Sequence, residues 1–280
     1  MSSTGKIPLI DVETPQPHHV FPTEASKLTP QETEREVALG DVLEASPSSG
    51  ILAYSAPDAA RNPQLVKLVS HIFNESFGYR PDGRPYRLGP KSVAERLQET
   101  DYLFVSGDEC SGIGYLFGKQ IPSSQGRIAW IESMAVLPLY RRRGVAMAML
   151  RHFCDATKGS ALLGCATPNP IAALVVSQVV PGTLHIGPCK PPSRLLSLLR
   201  GVRHHCFDLR GCFIDDANFT IKTGFSPLSR SDEREWNPRT PEEPPSWWSW
   251  VQHLPNEFEA LLLVERREEK PSLHSLTHPH

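Results

Sequence analysis

At 280 residues the chain is long enough to bury a substantial core, as one large domain or two small ones. Its 29 Lys and Arg stand against 31 Asp and Glu, a formal net charge of -2, which argues against a chain-wide nucleic-acid or anionic-membrane surface, so any basic site must be local. No apolar run approaches the roughly 18 residues of a membrane span, and a soluble protein is expected.

Residues 1–49 mix Pro, Ser, Thr and acidic residues with few aromatics, which predicts a flexible leader, with a short helix possible over ETEREVALGDVLEA. Order is expected from about Gly50. ILAYSA reads as a first strand. NPQLVKLVSHIFNESF places Leu65, Leu68, Val69, Ile72 and Phe73 on one helical stripe, and GPKSVAERLQET suggests a second helix. DYLFVSGDE, CSGIGYLFGKQI and RIAWIESMAVL are strand-like runs broken by turn residues, the pattern of an antiparallel meander. RRRGVAMAMLRHFCDAT reads as a helix and SALLGCAT as a buried strand. NPIAALVVSQVV reads as a short helix with Asn169 as N-cap, Pro170 at the first turn, and Pro181-Gly182 as its stop.

From Pro181 to about Asn218 the periodicity weakens. Lys190, Arg194, Arg200, Arg203 and Arg210 face only Asp208 among acidic residues up to position 210, so 181–218 reads as a basic insertion. Strand character returns at ANFTIKTGF and FEALLLVER, giving one domain over 50–265, and 266–280 reads as a loose tail. Cys110, Cys154, Cys165, Cys189, Cys206 and Cys212 form no CxxC pair. With no secretory leader and no Arg in the first thirty residues, they are expected to be reduced thiols of a cytoplasmic protein.

The stretch SMAVLPLYRRRGVAMAML carries the chemistry. A strand through Val136 that turns at LPLY and enters a helix at RRRGVA brings free main-chain N–H groups to a helix N-terminus, a natural anion site. Cations in a first helical turn oppose the helix dipole by about 0.3–1 kcal/mol each. Arg141, Arg142 and Arg143 there make poor sense for folding alone, and a bound polyanion would reverse the sign. A solvated turn is the structural alternative. Neither G-x-x-x-x-G-K-[ST] nor G-x-G-x-x-G occurs.

Val136, Pro138 and Arg141-Arg142-Arg143-Gly144-Val145-Ala146, in this strand–turn–helix setting, resemble the GNAT superfamily of acyl-CoA N-acyltransferases, over about residues 50–180. The resemblance implies an α+β fold: a mixed, mostly antiparallel twisted sheet flanked by helices and splayed between the IESMAVL and SALLGCAT strands. It also implies acetyl-CoA as cosubstrate. The pyrophosphate would lie on the loop amides of Arg142, Arg143, Gly144, Val145 and Ala146, with Arg141 beside them. Main-chain groups of Met134, Ala135 and Val136 would hold the pantetheine arm and acyl carbonyl, and Asn169, at the start of the helix across the splay, would also bind the cofactor. A preorganised donor to the developing oxyanion is worth about 2.7–4 kcal/mol of barrier.

An alkyl amine has a pKa near 10.4, so on the order of one molecule in a thousand is neutral at pH 7 and a base is required. Family members often place an acidic residue near Glu132, which makes it the candidate base, and an edge-strand Glu facing solvent is the alternative. The family's thiolate-protonating Tyr, counted from Asn169 and Ala172, falls instead on Val176. A thiol with pKa of about 8.5 leaves unprotonated at a penalty of only about 2 kcal/mol, so water, Ser177 or a residue of the insertion could serve.

His204, His205, Cys206, Asp208 and Cys212 fit no standard zinc spacing, and no metal is expected. SWWSW reads either as a membrane or ligand-stacking element or as a pin of an irregular segment to the core. Asp215 and Asp216 read as an acid–base pair or as turn residues.

Two functions follow: acyl transfer from acetyl-CoA or a related thioester to a primary amine of a small molecule or peptide by direct attack in a ternary complex, or a GNAT-like coenzyme A-binding regulatory module without turnover. Neither nucleic acid nor membrane is expected as partner, and the oligomeric state is open. Charge-assisted bonds from main-chain amides are worth about 1.5–3 kcal/mol each, more than a solvent-screened Arg charge. Gly144→Val should therefore weaken coenzyme A binding more than Arg142→Ala, and a calorimetric titration giving the reverse order would refute the loop assignment.

Overall fold

Strand and helix boundaries follow local chemistry at α2 and α5 in the structure, a computed structural model that describes residues 50–77, 80, 82–124, 126–187, 192–225 and 244–266. The leader, its short helix and the tail beyond Arg266 lie outside the described residues. Strand β1 (Ile51–Ser55) runs into a four-residue helix, α1 (Ala56–Ala59). Asn62 then accepts the amides of Gln64 (2.9 Å) and Leu65 (3.4 Å) and starts α2 (Pro63–Ser76), where Pro63 takes the first turn because it has no N–H to satisfy. The stripe of Leu65, Leu68, Val69 and Ile72 is buried, as its spacing predicts. Helix α3 (Pro90–Gln98) follows.

The meander forms as expected: β2 (Tyr102–Ser106), β3 (Gly114–Ser123) and β4 (Gly126–Val136) pair antiparallel in sequence. Helix α4 (Val145–Ala156) leads to β5 (Ser160–Thr167), which pairs parallel with β4, as a crossover helix requires. Helix α5 (Pro170–Val179) is capped by Asn169, whose side chain accepts Ile171 N at 2.9 Å.

The basic stretch is built into the sheet rather than looped out of it. Strand β6 (Gly182–Ile186) pairs with the late half of β9 (Phe258–Arg266), and β8 (Thr220–Lys222) pairs with its start. Between them lie α6 (Ser193–Val202), the 3-10 turns Arg203–His205 and Phe207–Leu209, and β7 (Phe213–Asp215). Apolar residues in LLSLL, interrupted by Arg and Pro, carry this segment: Leu195, Leu196, Leu198 and Leu199 are buried with Trp130, Leu162, Leu261 and Leu263.

Among the described residues nine strands make one sheet, ordered β1-β2-β3-β4-β5-β9-β8-β7 with β6 also on β9, and only β4–β5 is parallel. This is the mixed α+β sheet flanked by helices that the sequence implied. Alternation divides the core. Leu116, Ala129 and Ile131 face α4, α5 and α7 (Trp248–Gln252) on one side, while Tyr115, Phe117 and Trp130 face α1–α3 and α6 on the other. Trp248 is buried in α7, and Trp247 and Trp250 pack on the α4 side of the core, so the tryptophans pin this segment. Asp215 accepts from Ala217 N and Asn218 Nδ2, and Asp216 pairs with Arg200, so the acid–base reading of this pair gives way to turn chemistry.

Phe153 of α4 is fully buried beneath Gly118, where a Cβ would lie 2.9 Å from its ring and 2.4 Å from Trp130 O. Phe153→Ala should destabilise the fold by about 3–5 kcal/mol, read as a lower urea midpoint with unchanged slope.

Candidate active site

The β4–β5 ladder stops at Ile131↔Cys165, although β4 continues to Val136 and β5 to Thr167. Past that point β5 keeps only its β9 partner, through Ala166↔Leu261 and Thr167↔Ala260. One edge of β4 is thereby opened. Leu137 N bonds Ile113 O at 2.9 Å, so by antiparallel alternation Ala135 also turns its main-chain groups toward β3, whereas Met134 and Val136 turn theirs to the opened edge. Of the three strand positions singled out in the sequence, Met134 and Val136 therefore present main-chain polar groups there, and Ala135 presents a buried methyl to the α2 side.

A bulge sits just before this edge. Phe117 pairs with Ser133 and Gly118 with Ile131, so Glu132 is the extra residue of the β3–β4 register and the local period changes. Glu132 is not an edge-strand solvent-facing residue. Its side chain is 1% exposed, its Oε1 lies 2.9 Å from Lys119 Nζ, and both its oxygens lie 3.1 Å from Phe207 N. Lys119, one strand over, also donates to Glu99 O (2.9 Å) and to His205 O. Nearby, Ser133 Oγ lies 2.9 Å from Tyr115 OH.

At the far end of β4 the turn Pro138–Tyr140 leads to the arginines. The sequence placed them in the first helical turn. In the structure α4 begins at Val145, after Gly144 as N-cap, so all three precede the helix. Their cost against the helix dipole is correspondingly smaller, because that effect is confined to the terminal turn. Arg141 folds back, with Nε donating to Val136 O (3.0 Å) and Nη2 to Ser76 O (3.0 Å), and so ties α2 to the end of β4. Ser76 Oγ donates to the same Val136 O at 3.3 Å. Arg143 stacks over Tyr140 at 5.5 Å, and Arg142 is exposed.

Positive φ at Arg142 (62°) and Gly144 (82°) flanks Arg143 and curls the main chain into the kind of concavity that receives anions. Arg142 holds a conformation that costs a non-glycine residue about 1–3 kcal/mol. The first α4 amide bonded to the turn before it is Ala148 N, to Gly144 O at 2.9 Å, and no side chain caps the helix. The amides of Val145, Ala146 and Met147 precede the point where intrahelical acceptors begin.

Across the splay Asn169 sits at the C-terminal end of β5, its oxygen engaged in capping and its N–H bonded to Thr167 Oγ1 at 3.1 Å. Val176 is 1% exposed in the α4–α5 core, and Ser177 Oγ donates to Leu174 O at 2.8 Å. Cys165, at the last β4–β5 pair, has its thiol pushed up to about 12 by burial, with the charge of Glu259 adding to the effect. It stays protonated near neutral pH, which disfavours an acyl-cysteine intermediate at this position.

Sequence reasoning missed Lys119 and Phe207 and singled out Arg210 only as part of the basic insertion. Arg210 pairs with Glu99, and that hydrogen bond leads the causes that hold its guanidinium above the ordinary value. The one available signal was a Lys inside the otherwise apolar run GYLFGKQI, a charge that a buried strand has to neutralise. Among the described residues no group of three or more His, Cys, Asp or Glu side chains could hold a metal ion, and no helix is long and apolar enough to cross a membrane.

The site thus defines a class: an α+β domain in which an opened strand edge leads directly into an uncapped helix start. Residues 67–174 match the model of the acetyltransferase (GNAT) family, whose general chemistry is acyl transfer. No curated protein gives a significant match. The chain is similar to a GNAT-family acetyltransferase from Streptococcus pneumoniae at 15% identity, covering 49% of this chain and 89% of that one with a TM-score of 0.35. It is also similar to the ribosomal-protein-S18-alanine N-acetyltransferase from Escherichia coli (17%, 52% and 86%, 0.34) and to Arabidopsis thaliana Naa50 in complex with a bisubstrate analogue (14%, 49% and 84%, 0.34).

Removing one partner of a buried ion pair leaves a charge without compensation. Lys119→Met alone should cost about 3–5 kcal/mol, and Lys119→Met with Glu132→Met should recover much of it. Urea unfolding of the two single variants and the double checks this; single costs that add to within about 0.5 kcal/mol would show the pair to be uncoupled.

Proposed function

We propose that the chain is an N-acyltransferase that moves an acetyl or related acyl group from acyl-CoA to a primary amine by direct attack in a ternary complex. One observation carries this reading: the opened main chain at Met134 and Val136 leads, through the Pro138–Tyr140 turn and the arginines, to the uncapped start of α4 at Gly144.

In this reading the amides of Arg142 to Ala146 wrap the pyrophosphate, and the cationic side chains of Arg142 and Arg143 add screened attraction. Arg141 works from behind, by fixing the end of β4. Met134 and Val136 hold the pantetheine arm and the acyl carbonyl, with Ala135 setting their register, and the carboxamide nitrogen of Asn169 faces the arm from the other side. A main-chain N–H aimed at the carbonyl oxygen stabilises the oxyanion without reorganisation.

Glu132 is the acidic group closest along the chain to the reacting carbonyl. As base it takes one proton from the ammonium, which leaves a neutral carboxyl and a free amine lone pair for attack. The adduct loses its second amine proton to solvent as the carbon–sulfur bond breaks, and the departing thiolate takes a proton from solvent, since Val176 stands where a donor would be needed. That same buried Val176, together with the sealed position of Glu132, favours a second reading: a module that binds coenzyme A without turnover.

A thiol-release assay with acetyl-CoA against a panel of primary amines decides between them. Release that depends on amine, abolished by Glu132→Gln at intact acetyl-CoA affinity, is expected for the enzyme. Acetyl-CoA binding with no release from any amine would leave the binding module.

A further inference from the structure

Lys119 carries the head group that a primary-amine substrate would bring. Its ammonium has three N–H donors, and three acceptors surround it: Glu132 Oε1 and Glu99 O, each at 2.9 Å, and His205 O. The side chains of Lys119 and Glu132 are 8% and 1% exposed. A buried ion pair is seldom more stable than apolar residues of the same volume, so stability alone is a weak reason for this one.

A cavity of about 340 Å³ adjoins Lys119, and Glu99, Gln120, His205 and Arg210 also line it. Glu99 meets Lys119 once, through the carbonyl that holds its ammonium, while its carboxylate pairs with Arg210, and both Glu99 and Arg210 are among the residues that line the cavity. A lysine stem has four rotatable bonds, and its compact charge exchanges one set of oxygen acceptors for another without the planar geometry an arginine would need.

We infer that Lys119 is a resident stand-in for the substrate ammonium. A primary alkylammonium arriving along the opened edge of β4 takes the Glu132 oxygen, and the Lys119 head group swings into the cavity beside Glu99. Glu132 thereby reads a cation with N–H donors, and it meets no substrate as an unpaired buried charge. A quaternary ammonium has the charge but no donor and does not make the exchange. The inference rests on the acyl-transfer reading only for the fate of the bound amine; the binding step needs no acetyl-CoA.

The test is a calorimetric titration of the full chain with n-butylammonium, in the absence of acetyl-CoA, at ionic strength fixed with tetramethylammonium. Lys119→Met should bind about tenfold or more tightly than the native chain, because the competing head group is gone, and Lys119→Met with Glu132→Gln should lose that gain. Equal affinity in the native chain and Lys119→Met, or a gain that survives Glu132→Gln, overturns the inference. Should Lys119→Met not fold, nuclear magnetic resonance of the native chain decides. The Lys119 ammonium and Phe207 amide signals should both move with n-butylammonium and not with tetramethylammonium; two stationary signals overturn the inference. A separate acetyl-CoA titration tests the acyl-transfer reading, so either can fail while the other stands.

Discussion

Parting a strand from its neighbour in the middle of a sheet leaves main-chain N–H and C=O groups that a buried interior does not tolerate unmatched, and the functional end of this domain is organised around that constraint. Beyond Ile131 and Cys165 the edge of β4 loses β5. The protein meets part of the demand itself: Val136 O takes Arg141 Nε and Ser76 Oγ, so the first arginine of the triplet stitches strand, loop and α2 together. The turn beyond that edge, curled by positive φ at Arg142 and Gly144, then delivers the start of α4 to the same end of the sheet.

The opposite face imposes a second constraint. The bulge on β4 turns Glu132 into a region roofed by α3 and the 203–210 segment, where an isolated carboxylate would be prohibitive. Lys119 and Phe207 N meet it there, and Lys119 in turn binds Glu99 O and His205 O. One ion pair thus joins the end of α3, the bulge and the two short turns after α6, while Arg96 and Arg210 stack on Phe207 at 4.3 and 5.8 Å. The stretch that looks like a basic insertion by composition is held by charge at its turns and by leucines at its helix, and it completes the sheet through β6, β7 and β8.

Much of the fold was legible because its signals are local. The α2 stripe, the Asn-Pro start of α5, the alternating runs of β2–β4 and the apolar β5 and β9 each express a period or a cap that neighbouring residues fix among themselves. The segment from 181 to 218 was not legible as structure, since β6 and β7 are five and three residues long and β6 takes its conformation from β9, more than seventy residues further on. Within the site, the loop at 141–146 stood out by composition, but its helix start lay a turn earlier in the reading than in the structure. Gly144 supplies a left-handed N-cap that no preference for Ser, Thr, Asp or Asn would reveal.

The sequence by itself determined the strand–turn–helix unit around Arg141–Ala146, the absence of a tyrosine at Val176 and the acidic residue at Glu132, because identity and spacing are properties of the chain alone. Only the tertiary structure decided what surrounds them: that Ala135 turns toward β3 while Met134 and Val136 do not, that Arg141 is a brace, and that Glu132 is buried against Lys119 and Phe207. The physical reason is common to all three. Each depends on which strand or segment lies alongside, and strand register, bulges and buried charge pairing are settled between residues far apart in sequence, where no local pattern records them.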